Sequence, residues 1–306
     1  MSEEPPTKHG MYDHRVYTQS AASHRGEFSN NNTKMQRTLF AHILDEELLL
    51  PSWLNHHRKL FTHGVIVDVG SSDRSVSLIQ QFCPTWEIIQ LQPEQRATLA
   101  TTMMEELEAK YDGWKCVLNC SEYLVVGNLE TYLLKWEERN PGGIGVRATG
   151  IIIVDRPGQT GLDNFRHLDM LTEKDFGYLE RGKAWDGSER GGRFGVSPCS
   201  CYRNRVLHRS RTGLYRPGRH TSDLCTSIDP KLFIAWIGRG SPELYRSRCK
   251  TWGGNNQSFS PQHFQAMSDE SKMNNFWKQE LEKASSLFEI LPEYHQAILQ
   301  LYPSLS

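Results

Sequence analysis

The sequence predicts an α/β fold in which a mainly parallel sheet is covered by helices on both faces. The first observation is a short apolar run, residues 65–69, that contains one acid and is followed by Gly70 and two serines. The second is the run 151–154, Ile-Ile-Ile-Val, which is the strongest buried-strand pattern in the chain. The third is that strand-like and helix-like segments alternate along the chain, which favours parallel strands joined by helices.

The individual elements are predicted from hydrophobic spacing and from residues that begin or end helices. Apolar residues at helical spacing predict a helix over residues 33–50, with Asn32 or Thr33 as its cap and Pro51 as its end. Buried strands are predicted at 65–69, 86–91, 116–118, 150–155 and 232–237. Further helices are predicted at 75–82, 94–110 and 129–139.

Three regions are expected along the chain. Residues 1–33 are polar and are expected to form a flexible N-terminal arm. Residues 34–258 are expected to form the α/β domain, which contains an Arg/Gly-rich insertion with little periodicity at 175–229. Residues 259–306 are expected to form a helical C-terminal extension with one apolar face.

Composition excludes several classes of protein. Hydrophobic residues make up 38% and charged residues 23% of the 306 residues, which indicates a globular rather than a disordered chain. No apolar run approaches the roughly 18 residues of a membrane-spanning helix, and the polar N-terminus does not resemble a signal peptide. Seven cysteines at irregular spacing favour a reducing compartment.

The charge is balanced overall but uneven along the chain. The 35 Lys and Arg residues against 36 Asp and Glu residues argue against a wholly basic nucleic-acid binder. Residues 181–250, however, hold 15 basic and 5 acidic residues. This segment suits a polyanion such as nucleotide phosphate, RNA or an anionic membrane. The alternative is a solvated basic surface that pairs with acids elsewhere in the fold.

The residues that follow the first two predicted strands suggest a nucleotide site. Ligands of open α/β sheets bind beyond the carboxyl ends of the strands. Asp68 ends the first such strand, Gly70 follows it, and Glu94 lies just beyond the second strand. The pattern has one glycine rather than three, and Gln92 occupies the usual acidic position. An ordinary α/β domain in which Asp68 caps a helix is the alternative.

Taken together, several short motifs resemble one known family. They are LFAHIL at 39–44, IVDVGSSDR at 66–74, PEQR at 93–96, Asp155 after its strand, and LFIAWIGRGSPELYRSRCKTW at 232–252. This order of motifs resembles the methyltransferase–guanylyltransferase RNA-capping enzymes of alphaviruses and related positive-strand RNA viruses. The resemblance implies a Rossmann-like class I methyltransferase sheet. It also implies a viral enzyme of the host cytoplasm, peripheral on membranes.

The resemblance implies a reaction sequence and two cofactors. GTP would be methylated at guanine N7 by S-adenosylmethionine, and the 7-methyl-GMP would be transferred to a histidine and then to an RNA 5′ end. His42 would be the covalent nucleophile, and Mg²⁺ would assist the phosphoryl transfer. The residues expected to hold S-adenosylmethionine are Asp68, Gly70, Ser71, Glu94 and Asp155. Those expected to hold GTP or the cap are Arg74, Arg96, Phe233 and Trp236, the aromatics by stacking on the cationic base.

Each of these assignments has a plainer alternative. His42 could be a hydrogen-bonded or a surface residue, Arg74 could pair with Asp73 or Glu94, and Phe233 and Trp236 could belong to the core. The family resemblance and the basic, aromatic segment 241–252 also suggest peripheral binding to anionic lipid. A homo-oligomer and a structural zinc, for which Cys199, Cys201, His208, His220 and Cys225 supply ligand types, are left open. Two competing functions remain, a methyltransferase with another substrate and a non-enzymatic subunit that binds RNA or membrane.

Overall fold

A ten-stranded sheet organises the described part of this computed structural model, which comprises residues 35–91, 99–159, 161–179, 205–215, 222–224, 226–238, 241–253 and 269–303. The strands are β1 (Arg37–Ile43), β2 (His63–Asp68), β3 (Glu87–Gln90), β4 (Trp114–Leu118), β5 (Glu122–Val125), β6 (Gly145–Ile153), β7 (Phe176–Leu179), β8 (Val206–His208), β9 (Ser227–Trp236) and β10 (Ser285–Ser286). The helices are α1 (Leu50–His57), α2 (Ser75–Phe82), α3 (Leu99–Glu108), α4 (Leu129–Arg139), α5 (Pro242–Gly253), α6 (Glu270–Lys283), α7 (Leu287–Ile290) and α8 (Pro292–Leu301). All described residues belong to one compact unit, Met35–Ser306.

The strand order places β1 at the centre of a parallel group. The sheet runs β10-β7-β6-β8-β4-β1-β2-β3, and β9 pairs with both β6 and β5. Strands β4, β1, β2 and β3 are mutually parallel. Strand β8 is antiparallel to both β4 and β6, so β6 runs in the same direction as β4. The prediction of a mixed α/β fold with a mostly parallel central sheet is therefore confirmed.

Helices cover both faces of the parallel group. Leu39, Ala41 and Ile43 of β1 belong to the larger core cluster, which also contains the buried face of α1. Phe40 lies in a separate cluster on the other face, together with Met104 of α3. This alternation follows from the two-residue period of side chains along a strand. The order β3-β2-β1-β4 is common to nucleotide-binding sheets, so it does not single out the methyltransferase version of the fold.

The predicted helix over residues 33–50 is wrong. Residues 37–43 form β1, which lies between β2 and β4 and is buried on both faces. A short apolar stretch matches helix and strand spacing equally well, and pairing with two neighbouring strands decides the outcome. Pro51 does not end a helix but lies in the first turn of α1, where its missing N–H costs nothing.

The remaining predicted elements are close to those observed. Helices α2 and α4 have the predicted bounds, and β6 and β9 extend further toward the N-terminus than expected. The C-terminal helices α6 to α8 contact the sheet. For example, Tyr294 of α8 packs edge-on against Phe233 of β9 at a ring-centroid distance of 5.7 Å. Within the described residues, none of the helices combines the length and the apolar character that a bilayer crossing requires.

Candidate functional site

The carboxyl ends of the parallel strands form the candidate site, which we call the carboxyl edge. It comprises the segments that follow β1, β2, β4 and β6, residues 44–49, 69–74, 119–121 and 154–156, together with the first turn of α5. The chain passes from β1 to β2 and β3 on one side, whereas β4 lies on the other side of β1. Such a reversal of strand order opens a crevice between the two loops, and this is where open α/β sheets bind ligands.

Hydrogen bonds join the loop after β1 to the loop after β2. Asp45 accepts hydrogen bonds at Oδ1 from the backbone N–H of Ser72 at 2.6 Å and of Asp73 at 3.3 Å. Its own N–H donates to Ser71 Oγ at 3.0 Å, and the N–H of Glu47 donates to Asp73 Oδ2 at 2.9 Å. Asp45 has a φ of 48°, a left-handed conformation that aspartate tolerates better than most residues. The two loops therefore form one fixed rim.

Asp68, Gly70 and Ser71 shape the turn at the end of β2. Asp68 is buried and accepts the backbone N–H of Ser71 at Oδ1, 2.9 Å away. Gly70 has a φ of 88°, which explains a glycine at this position without any ligand. In this structure Asp68 stabilises the turn after β2, whereas the plainer alternative expected it to cap a helix. Whether these residues also bind a ligand stays a prediction.

Arg74 and Arg248 are both paired with acids from the loop after β1. The Arg74 side chain, at the start of α2, is 70% exposed, and its Nε lies 3.2 Å from Glu47 Oε2. Arg248 of α5 is more buried and lies 2.6 Å from Glu46 Oε2. Because an exposed ion pair contributes little free energy, Arg74 can leave Glu47 for a ligand at small cost. Arg248 instead attaches α5 to the rim.

Asp155, directly beyond β6, is the most unusual carboxylate of the edge. Its side chain is 1% exposed, and Oδ1 lies 2.5 Å from Lys174 Nζ. Burial raises the pKa of Asp155 to about 6, against the opposing effect of Lys174, and the charge of Glu243 raises it further. Among the described residues, Asp155 Oδ2 and Glu243 Oε2 are enclosed and have no hydrogen-bond partner. A carboxylate of this kind is typical of functional sites, and no sequence pattern identified its partner Glu243.

The end of β4 carries small polar side chains that contact the end of β9. Trp236 donates from Nε1 to Ser121 Oγ at 3.0 Å, and the N–H of Ile237 donates to the carbonyl of Ser121. Cys120 is buried, and burial holds the pKa of its thiol well above the usual value. These contacts fix the floor of the crevice.

The structure separates His42 from Asp68. In the register of β1 and β2, His42 pairs with Val67, whereas Ile43 pairs with Asp68. Paired residues of neighbouring strands share a face, and successive residues alternate. His42 therefore lies on the face of Phe40 and α3, and Asp68 on the opposite face. A histidine on a helix that joins Asp68 in one cleft was the expectation, and it is wrong.

The two aromatic candidates for base stacking are buried. Phe233 is 1% exposed and belongs to the larger core cluster, and Trp236 is 8% exposed in a third cluster with Ile152 and Val154. Neither ring presents a free face in this conformation, and the stacking role expected for them stays a prediction. Glu94 and Arg96 lie outside the described residues, and their roles stay predictions.

The segment 241–252 was expected to bind anionic lipid. In the structure, its described side chains contact other parts of the protein. Leu244 is 1% exposed, Tyr245 stacks on Phe276 of α6 at 5.4 Å, and Arg248 pairs with Glu46. The expected amphipathic face is thus occupied by the fold itself.

Over the described residues, no group of three or more potential metal ligands is found. Cys199, Cys201 and Cys225, which were named as candidate zinc ligands, lie outside the described residues. The described cysteines Cys83, Cys116 and Cys120 are buried free thiols.

No protein-family profile matches the sequence, and no curated protein matches it. The structure is similar to Staphylococcus aureus TarS residues 1–349, at 12% identity over 89% of this chain and 82% of that one, with a TM-score of 0.33. It is also similar to a TarS complex with UDP, at 13% identity, 40% and 37% coverage and a TM-score of 0.32. A third similar structure is glucosyl-3-phosphoglycerate synthase from Mycobacterium tuberculosis with Mn²⁺, UDP and phosphoglyceric acid, at 9% identity, 39% and 43% coverage and a TM-score of 0.26.

In the first three matches this chain spans between 22% and 45% of the length of the solved chains. TM-scores this far below 0.5 do not establish a shared activity, and none is transferred from these structures to this chain.

The prediction of a viral capping enzyme is wrong. The register places the proposed nucleophile His42 and the proposed cofactor ligand Asp68 on opposite faces of the sheet. The similar solved structures named above are glycosyltransferases rather than capping enzymes or methyltransferases. Their crystals hold UDP, UDP-glucose, phosphoglyceric acid and Mn²⁺ rather than S-adenosylmethionine, Mg²⁺, GTP or an RNA 5′ end. The cytoplasmic location stays a prediction.

Proposed function

We propose that this chain is a nucleotide-dependent enzyme that binds its nucleotide at the carboxyl edge, in the crevice between the loops after β1 and β4. The observation that carries the proposal is the reversal of strand order at β1, where open α/β sheets place nucleotides. The hydrogen-bonded rim around Asp45 supports it, because a preformed loop pair loses little conformational entropy on binding.

The charges at the edge indicate how the phosphates would be held. Arg74 is the exposed cation at the start of α2, and the positive end of the helix dipole favours an anion. In this proposal the phosphates displace Glu47 from Arg74, and Glu47 moves toward solvent. In this arrangement the acidic side chains of the rim do not contact the phosphates.

Calorimetric titration with UDP, UDP-glucose, ADP and GTP, each with and without Mn²⁺, tests the proposal. UDP, UDP-glucose and Mn²⁺ are used as probes because they are present in the structures named above. We expect at least one nucleotide to bind, and we expect Arg74→Ala to weaken its binding about tenfold, since a charge-assisted hydrogen bond contributes roughly 1.5–3 kcal/mol.

Arg209→Ala is the matched control. Arg209 also forms a 3.2 Å ion pair with a glutamate, Glu137, but it follows β8 at the opposite, amino edge of the sheet. Its replacement should leave nucleotide affinity unchanged. Equal losses in the two variants, or no binding of any nucleotide by the wild-type chain, would contradict a nucleotide site at the carboxyl edge.

A further inference from the structure

Two neighbouring carboxylates at the carboxyl edge each have one oxygen atom that the protein leaves without a partner. Asp155 is held through Oδ1 by Lys174 Nζ at 2.5 Å, and both side chains are at most 5% exposed. In the part of the chain that the structure describes, neither Asp155 Oδ2 nor Glu243 Oε2 has a hydrogen-bond partner, and both atoms are enclosed. Enclosed acceptors without partners are unfavourable, because they lose water without replacing it.

The two carboxylates lie at one edge of the sheet because strand β6 ends there and helix α5 begins there. Asp155 follows the carboxyl end of β6, and β9, which is parallel to β6, leads at the same edge into α5. Glu243 lies in the first turn of α5, whose start is fixed by a hydrogen bond from the N–H of Leu244 to Ser241 Oγ. The charge of Glu243 acts directly on Asp155 and raises its pKa.

The surrounding charges select the chemistry of a ligand. An anion is disfavoured by two carboxylates. A divalent cation is disfavoured by the Lys174 ammonium, which lies 2.5 Å from Asp155 Oδ1 and 4.4 Å from the ring centroid of Phe165, and so stays in place. Neutral hydrogen-bond donors remain. Hydroxyl groups fit, because each can donate one hydrogen bond to a carboxylate oxygen without adding charge.

We propose that Asp155 and Glu243 form a hydroxyl-binding subsite, which accepts hydrogen bonds from a polyhydroxylated group carried by the nucleotide. This inference rests on the proposed nucleotide function and names the part of the ligand that the rim does not hold. Lys174 is a positioning residue, since it orients Asp155 through Oδ1 and leaves Oδ2 for the ligand.

The test compares nucleotides that differ only in the attached sugar. Calorimetry with UDP, UDP-glucose, UDP-galactose and UDP-N-acetylglucosamine should show tighter binding of at least one sugar-bearing form. Asp155→Asn and Glu243→Gln should each lower the ratio of sugar-nucleotide affinity to UDP affinity by about tenfold. Asp163→Asn is the control, because Asp163 is an exposed carboxylate in the turn Leu162–Phe165 beyond β6. The double variant Asp155→Asn/Lys174→Met removes both buried charges together. It replaces Asp155→Asn in the test if that single variant does not fold.

Each other outcome has a defined meaning. A sugar advantage that survives in both variants overturns the subsite and leaves the nucleotide site standing. Mn²⁺ binding that depends on Asp155, measured by electron paramagnetic resonance, overturns the hydroxyl assignment in favour of a cation. If no nucleotide binds, saturation-transfer NMR with free glucose, galactose and N-acetylglucosamine decides. Sugar binding that Asp155→Asn removes then supports the subsite without the nucleotide function, and its absence overturns both.

Discussion

Two buried polar clusters at opposite edges of the sheet differ in one respect, which is whether their acceptors are satisfied. At the amino edge, Glu108 Oε1 accepts the Tyr215 hydroxyl at 2.6 Å and lies 3.0 Å from His208 Nε2, and Oε2 accepts the N–H of Gly213 at 2.7 Å. The other ring nitrogen of His208 lies 2.9 Å from Ser210 Oγ. At the carboxyl edge, Asp155 and Glu243 are left with one open acceptor each.

The difference separates a structural cluster from a candidate ligand site. Glu108 and His208 are fully buried, as Asp155 nearly is, so burial alone does not distinguish the two clusters. A saturated network has nothing left to offer a ligand and holds the loop 209–215 against α3 and β4. An unsaturated network lowers the stability of the free protein, and a ligand that supplies the missing donors removes that penalty.

The largest effect is expected from removing the centre of the saturated cluster. Glu108→Ala leaves the Tyr215 hydroxyl, the His208 ring and the Gly213 N–H without their acceptor. The free energy of unfolding, measured by urea denaturation, should fall by about 4 kcal/mol. The nucleotide affinity of the folded protein should not change. Glu106→Ala, at an exposed position on the same helix, should change the free energy of unfolding by less than about 0.5 kcal/mol. A stable Glu108→Ala protein with weakened nucleotide binding would reverse the assignment of the two edges.

The second effect concerns a saturated cluster in the core, the histidine pair of α1. His56 lies 2.8 Å from both the Leu124 carbonyl and the Tyr302 hydroxyl, and burial lowers its pKa from 6.5 to about 4. Burial and the charge of His56 also lower the pKa of His57. Because these pKa values are depressed in the folded state, the neutral rings favour folding fully above pH 6.5, and that contribution is lost as the pH falls toward 4.

The measurement is the free energy of unfolding between pH 7.5 and 4.5. The wild-type chain should lose stability on acidification relative to His56→Asn by about 3 kcal/mol, from the pKa shift of His56. His167→Gln, at an exposed position, should follow the wild-type curve. Parallel curves for wild type and His56→Asn would show that His56 is not neutral in the folded core.

The sequence predicts elements well where local pattern and tertiary environment agree. The apolar spacing of α4, the capping Asn128 and the glycines that follow are all local signals, and the predicted bounds 129–139 are those observed. Residues 37–43 are different, because their strand state depends on pairing with β2 on one side and β4 on the other. Nothing within residues 33–50 contains that information, so the pattern predicted a helix.

The candidate site was partly predictable for the same reason. The sequence pattern predicts strands that end at or just before Asp68, Gly70 and Asp155. Their place at the carboxyl edge therefore follows from the sequence. Glu243 does not, because its proximity to Asp155 depends on the parallel pairing of β9 with β6. The position of His42 was not predictable, because the sequence pattern predicted a helix at this segment. In a strand, the alternation of side chains decides which face of the sheet His42 occupies.

The last effect, which is no larger than that of His56, is the pH dependence of Asp155, and it decides between the two edges. Its pKa is raised from 3.8 to about 6 by burial, so its contribution to stability is complete below pH 3.8 and is lost as the pH rises through 6. The wild-type chain should therefore lose about 3 kcal/mol between pH 4 and pH 8 relative to Asp155→Asn/Lys174→Met, as judged by urea denaturation. The direction is opposite to that of His56, because burial disfavours the charged form of both groups, and a carboxyl group is charged at high pH whereas an imidazole is charged at low pH. If the two curves stay parallel, Asp155 is satisfied in solution, and the carboxyl edge then resembles the amino edge in being built for stability rather than for a ligand.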